Sequence, residues 1–288
     1  MDGAPHQAGT PGYLVIGHVT QDVAPGRTLI PGGTATYAAL TAQRLGYAVG
    51  VLTSAHPEAP LPEAERGIEV RRIASPHTTR FENRYEGDQR HQFLRAAASP
   101  IARAHLPAAW QSAPIVHLGP VAQEVDPDLL DAFPGAVLGL TPQGWLRRWG
   151  ADGRVEPCPW AKAERALAAA TAVVLSPEDV GGDWALLERY AALARTLAVT
   201  LGERGAIIYH DGRSERLPAF AVDVVDPTGA GDVFAAALFI GLRELGDPFA
   251  AGRLANCVAS FVVEGLGATR LPTRAQVDER LRSGRLRA

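Results

Sequence analysis

The chain has 288 residues, 47% of them hydrophobic, and a formal net charge of −3. That is enough apolar material for one large core, and no block of like charge offers a nucleic-acid or membrane surface. The two cysteines, Cys158 and Cys257, lie far apart with no metal-ligand spacing around them, which argues against a disulfide framework or a structural metal and for a reducing, cytoplasmic setting.

The stretch before Tyr13 is polar and rich in Gly and Pro, without the basic start and apolar core of a signal peptide. No apolar run approaches the roughly 18 residues that cross a bilayer. Tyr13 to Gly17 reads as an apolar strand. Thr34 to Leu45 has helical apolar spacing and is stopped by Gly46, where a left-handed cap is wanted. Val49 to Thr53 is the next strand, and further strands are predicted at 115–118, 137–140, 172–175 and 197–201. Apolar strands separated by helices predict βαβ units and a mainly parallel sheet. Thr79 to Leu94 breaks this pattern: Phe81, Asn83 and Tyr85 alternate with Glu82 and Arg84, and Gly87-Asp88 offers a turn. The alternation predicts an antiparallel hairpin, polar on one face, inserted in an α/β domain as a lid or an edge hairpin. A second hairpin is predicted from Ala206 to Leu217, turning at Asp211-Gly212.

Lys162 is the only lysine. P-loop and protein-kinase chemistry both place a lysine on the nucleotide phosphates. Lys162 sits in an Ala/Glu-rich helical stretch with no glycine loop, so any phosphoryl transfer here has to work without it.

The most informative segment is Asp226-Pro227-Thr228-Gly229-Ala230-Gly231-Asp232. Phe234, Leu238, Leu242 and Leu245 form one helical stripe after it, so the small-residue loop 229–231 opens a helix. Unpaired N–H groups and the dipole favour an anion there, and glycines let the backbone come close to it. Asp232, in the same first turn, is either simple dipole compensation or a base placed beside a phosphate cradle.

This segment resembles the D-[TP]-T-G-A-G-D signature of the ribokinase-like (PfkB) carbohydrate kinases. Further matches follow in family order: Gly17 to Asp22, Pro31-Gly32-Gly33, Thr200-Leu201-Gly202-Glu203-Arg204-Gly205, and Asn256 in Ala255-Asn256-Cys257-Val258. The resemblance implies a single ribokinase-like α/β domain over 1–288, a mainly parallel sheet flanked by helices, with a small β lid built mainly from about 78–95. It implies Asp232 as catalytic base and Gly229, Ala230 and Gly231 as the anion hole. Asp22, Gly32, Gly33 and Tyr37 would bind substrate together with the lid aromatics Phe81 and Tyr85. Thr200, Gly202, Gly205, Asp226, Thr228 and Asn256 would bind ATP. Mg2+ would be held through Asp179 or Glu178, and part of the family uses a monovalent cation such as K+. The sequence departs from the family twice. Tyr37 stands where an asparagine is usual, and Ser176-Pro177-Glu178-Asp179 replaces N-x-x-E; Ser176 with Pro177 is equally a helix cap.

The run Thr78-Thr79 to Leu94, the proline at 227 and Ser176-x-x-Asp179 are similar to plant-type myo-inositol kinases. The expected partner is therefore a small polyol or sugar, with a nucleoside or another sugar as the competing substrate. No nucleic acid or membrane is expected, and an exposed lid edge would permit a homodimer. A non-catalytic sugar or nucleotide sensor would have no need of Asp232. A nicotinamide-dependent dehydrogenase would need G-x-G-x-x-G after the first strand, and none follows Gly17.

Overall fold

A computed structural model of the protein describes residues 9–23, 29–61, 67–86 and 89–287. The first part of the chain forms β1 (Tyr13–Ile16), β2 (Thr20–Val23), β3 (Leu29–Gly32), α1 (Thr34–Arg44), β4 (Val49–Ala55), β5 (Ile68–Ala74), β6 (Thr79–Glu86) and β7 (Gln89–Ala96). It continues through β8 (Ile115–Leu118), β9 (Val137–Leu140), β10 (Arg147–Trp149), β11 (Val155–Pro157), α2 (Ala163–Ala169), β12 (Ala172–Leu175) and α3 (Trp184–Leu193). The last part holds β13 (Thr196–Thr200), β14 (Ala206–His210), β15 (Arg213–Leu217), α4 (Ala230–Leu245), α5 (Pro248–Val262) and α6 (Arg274–Ser283).

Nine strands make one sheet in the order β15-β14-β13-β12-β9-β8-β1-β4-β5. All neighbours are parallel except along the β13–β14–β15 edge, where β14 and β15 form the expected second hairpin. The central strand shows why the pattern works. Tyr13 and Val15 point into a core shared with α1, α4 and α5, while Leu14 and Ile16 point into a second core on the other face, where α2 and α3 pack. A strand covered on both faces needs an unbroken apolar run, and Tyr-Leu-Val-Ile supplies one. α4 is buried on every side from Val233 to Gly241, and its Phe239 ring lies where a Cβ on Gly139 of β9 would be. With about 1.5–3 kcal/mol for each large apolar side chain it buries, α4 is a fixed post, and its N-terminus cannot wander. No helix among the described residues is long and apolar enough to cross a membrane.

The lid is wider than the sequence suggests. β6 and β7 pair as expected, but β2 and β3 join them in a four-stranded sheet, β3-β2-β6-β7. Pro31-Gly32, expected only to precede a helix, closes a lid strand. A third, unforeseen hairpin, β10–β11, props the lid: Trp149 and Val155 pack on Phe81 and Leu94, and Leu94 N–H donates to Gly153 O at 2.8 Å. The lid root is clamped by His18. Ser99 O can only accept, so His18 Nε2–H donates to it at 3.0 Å and Nδ1 accepts the Thr79 hydroxyl at 2.6 Å, while Thr79 Oγ1 accepts from Ala98 N–H at 2.9 Å. Beneath it the buried Glu124 carboxylate accepts backbone N–H groups from His18, Val121 and Ala122, which satisfies a charge that would be costly to bury bare.

Candidate active site

Two helix N-termini meet at one point. α1 starts after Gly33 and α4 starts after Gly229, whose φ of 80° is the left-handed region that glycine alone adopts freely. Gly229 has a second reason to lack a side chain: a Cβ there would lie 2.3 Å from the Tyr37 ring. Ala230 N–H turns back to Pro227 O at 3.2 Å, while the amides of Gly231 and Asp232 have no partner further up the helix. Gly231 itself has an ordinary helical φ, and a Cβ on it would meet nothing within 4 Å. The positive φ is at Gly229; the Cβ position of Gly231 faces open space, which is what a bound anion would need.

Asp232 accepts a 2.6 Å hydrogen bond from Thr34 Oγ1 in the first turn of α1. Burial pushes its carboxyl up from 3.8 to about 6; the Thr34 bond and Arg147 act downward, while Asp179 and Asp22 act upward. A carboxylate poised close to neutrality, at a helix start, beside open space, is equipped to take and return a proton.

An open cleft of about 1700 Å³ runs between the lid, α1 and the 266–271 loop; Asp22, Tyr37, Arg80, Asn83, Asp226 and Thr228 line it. Tyr37 reaches the cleft but is mostly buried, its ring under Gly229 and its phenol near Asp232, Asp226 and Asp22; burial first, then these carboxylates, push its ionisation well up. It is a packing wedge as much as a wall. Phe81, expected as a substrate wall, faces the other way: it is 4% exposed and packs with Leu94, Val121 and Ala122. The β10–β11 hairpin decides that face. The Tyr85 side chain lies outside the described residues. Gly32 backs onto Asp22, whose carboxylate would lie 2.7 Å from a Cβ there.

The residues expected at a nucleotide divide: Asp226 and Thr228 line the cleft, while Thr200, Gly205 and Asn256 belong to the packing around the loop after β13. Thr200 ends β13 and donates to Leu175 O at 3.3 Å, and Gly205 lets the Leu217 carbonyl approach to where its Cβ would be. Glu203, in the same loop, pairs with Arg287 at 3.1 Å. Asn256 is buried and donates to the carbonyls of Leu217 and Pro218, both at 3.2 Å; its amide braces this loop from inside. Asp226 is tied down too: burial raises its pKa, but bonds from Thr228 and from Gly267 N–H outweigh that and hold it low.

Asp179 has both oxygens engaged, Oδ2 by Ser176 N–H and Oγ–H at 2.8 and 2.9 Å and Oδ1 by Gln143 Nε2 at 3.2 Å. The helix-cap reading of Ser176 is thus what the geometry displays. Among the described residues no group of three His, Cys, Asp or Glu side chains could hold a metal.

Thr34, Gln143 and Arg147 were not found by reading the sequence. Thr34 had a signal, a hydroxyl directly after the Gly32-Gly33 pair at a helix start. Gln143 and Arg147 had none, because the turn and short strand that carry them have no periodicity.

Residues 178–274 match the family model of the pfkB family carbohydrate kinases. Ribokinase of Bacillus subtilis (strain 168) is 44% identical over 96 residues, 33% of this chain and 32% of that protein. Inositol 3-kinase of Arabidopsis thaliana is 46% identical over 72 residues, 25% of this chain and 20% of that protein. The matched segments thus span a third or less of these curated relatives. The fold match extends over most of the chain: a pyrophosphate-dependent kinase in the ribokinase family, solved with a pyrophosphate analog and myo-inositol, superposes with a TM-score of 0.76 at 24% identity, covering 93% of this chain and 99% of that one.

Proposed function

From a ribokinase fold whose segment around Asp232 is pfkB-family sequence, we propose that this protein is a phosphotransferase that moves the γ-phosphoryl group of ATP to a hydroxyl of a small polyol, myo-inositol first. One observation carries the reading: Asp232, held by Thr34 at the start of α4, stands beside unpaired amides with open space above Gly231. The acceptor hydroxyl gives its proton to Asp232, its oxygen bonds to phosphorus, and the bond to the leaving phosphate breaks with its electron pair. The α4 amides balance the equatorial charge. Mg2+ enters as part of the Mg-ATP substrate. Asp22 on β2 accepts hydrogen bonds from two adjacent hydroxyls, and the Asn83–Gln92 pair at 3.1 Å adds amide groups to a cleft suited to an uncharged ring with hydroxyls all round. The relative that acts on inositol and the structural neighbour holding myo-inositol support this substrate. That neighbour uses pyrophosphate, so the donor test needs both donors. The open edge of β3, with Leu29 and Ile30 exposed, is where a second copy would pair. The two free thiols suit the cytoplasm.

Product release measured over myo-inositol, ribose, fructose and adenosine, with ATP and with pyrophosphate, tests the substrate. myo-Inositol is expected to give the highest kcat/KM. A nucleoside ahead by tenfold or more would overturn the inositol assignment.

Two further results are expected. The base works ionised, so kcat/KM should fall tenfold per pH unit below about pH 6 and be level above it; a profile level down to about pH 4 would contradict the assignment of Asp232. Asp22→Ala should raise the acceptor KM by about 10–100-fold, the equivalent of ~1–3 kcal/mol for stranded hydroxyl partners, with kcat reduced far less. An unchanged KM would remove Asp22 from the acceptor site.

A further inference from the structure

A general base has to present one oxygen to the acceptor hydroxyl at a fixed angle, and a carboxylate turns about its own bond unless its other oxygen is held. Thr34, the first residue of α1, is buried, and its hydroxyl donates to Asp232 Oδ1 at 2.6 Å. The direction of that hydroxyl is set from outside the helix. Threonine carries its methyl and its hydroxyl on one carbon, so the place of the methyl decides the place of the hydroxyl. The methyl lies over Gly119, the residue after β8: a Cβ on Gly119 would be 2.4 Å from Thr34 Cγ2 and 3.0 Å from Thr34 Cβ. Gly119 is itself fixed. Its N–H donates to Ile16 O at 2.9 Å, and its carbonyl oxygen lies 2.3 Å from where a Cβ on Gly17, the residue after β1, would be. β1 and β8 are paired parallel strands. The two glycines at their ends let both backbones and Thr34 close-pack, and the stack finishes at the hydroxyl on Asp232. On its other side Thr34 meets the lid. Only Gly33 separates it from Gly32, the last residue of β3, which backs onto the Asp22 carboxylate.

We propose that Thr34 is the positioning residue of the base: its hydroxyl occupies Oδ1 of Asp232, leaving Oδ2 to take the proton of the acceptor hydroxyl, and the notch at Gly119 keeps it there. This rests on the reading of the protein as a phosphotransferase with Asp232 as base. Thr34 keeps its own proton and acts only through Asp232. Its bond favours the ionised carboxylate, which is the form that works. It also ties the two carboxylates of the acceptor site together, since Asp22 and Asp232 are both seated against residues 32–34. Serine would supply the same hydroxyl without a methyl for the notch. Valine would fill the notch and supply no hydroxyl.

The pH profiles of kcat and kcat/KM for Thr34→Val, measured with Mg-ATP and whichever of the four acceptors the wild type uses fastest, test this. The other titratable groups around Asp232 are Tyr13 of β1, Asp22 of β2, Tyr37 of α1, Arg147 of β10 and Asp179 after β12, and all of them remain in the variant. A shift therefore reports the lost bond. Losing a hydrogen bond to the charged form raises the pKa of a carboxyl, so the acid limb of kcat/KM is expected to move upward by about one pH unit. The released carboxylate also turns, so kcat on the high-pH plateau should fall by about 10–100-fold, with acceptor KM within about threefold of wild type. Thr34→Ser should restore the acid limb and most, but not all, of the plateau. A role in packing alone would lower the melting temperature and leave both limb and plateau of the folded enzyme where they are. That result in Thr34→Val would overturn the inference while leaving the kinase reading intact. If valine prevents folding, Thr34→Ala carries the same comparison. A wild type that transfers phosphate to no acceptor would overturn both.

Discussion

Asp232→Asn is expected to lower kcat by about 10²–10⁴-fold while acceptor and donor affinities stay near wild type. Asparagine keeps the size of the side chain, and its Oδ1 still accepts the Thr34 hydroxyl, so the α1–α4 junction is preserved. What is lost is the ability to take a proton. The same variant should be more stable. A carboxyl whose pKa the fold raises from 3.8 to about 6 costs stability where it is ionised. That cost is absent below about pH 4, grows as the pH rises through the folded value, and is full above it. At neutral pH the variant should therefore gain on the order of 1–3 kcal/mol, and the gain should vanish in acid. Thermal melts at two pH values beside the kinetics check both halves. A variant that is less stable at neutral pH would mean Asp232 is a structural partner of Thr34 rather than a charge held in reserve for chemistry.

Gly231→Val is the second large effect. Beyond its chain neighbours and the nearby backbone of α4 itself, nothing lies within 4 Å of a Cβ on Gly231, so the rest of the fold has room for valine. If that space belongs to the donor phosphates, transfer should drop by 10²-fold or more, roughly the loss of an anion-hole contact, with the melting temperature within a few degrees of wild type. Gly229→Ala should do the reverse. It places a Cβ on a backbone at φ 80° and 2.3 Å from the Tyr37 ring, and should cost about 1–3 kcal/mol of stability. Activity of Gly231→Val equal to wild type would show that the donor does not sit on α4.

The contrast between these two glycines also shows what could be read from the chain. The segment 226–232 announces a helix N-terminus for an anion, because small residues, an acidic residue and an apolar stripe in that order have few other uses. Which glycine carries the strain depends on Tyr37, a residue nearly two hundred positions away, and no local pattern reports it. The same division runs through the fold. β1, β9 and β12 are unbroken apolar runs, β8 is one interrupted only by His117, and all four are legible as buried parallel strands; Gly46 and Asp211-Gly212 mark a helix end and a hairpin turn by their own conformational needs. β2, β3, β10 and β11 are equally short but read Thr-Gln-Asp-Val, Leu-Ile-Pro-Gly, Arg-Arg-Trp and Val-Glu-Pro, and a strand without an apolar run is defined by its partner, not by its composition. Phe81 follows from this. Its alternation gave the strand correctly, but the hairpin carrying Trp149 and Val155 determines which face is dry, and so a residue expected to meet substrate meets the interior. Asp179 fits the same account: its spacing from Ser176 suited a cap and a metal alike, and it is the Ser176 bonds to Oδ2 together with the Gln143 bond to Oδ1 that show how its oxygens are used.

The central claim is that Asp232 and the α4 amides move a phosphoryl group to a hydroxyl of a small polyol. Phosphorus NMR of the protein mixed with Mg-ATP and myo-inositol tests it most directly. The expected result is a new phosphomonoester resonance that grows as ATP is consumed, requires the acceptor, and is absent with Asp232→Asn. ATP that stays intact with every acceptor, or that yields only inorganic phosphate at a rate indifferent to the acceptor, would contradict it.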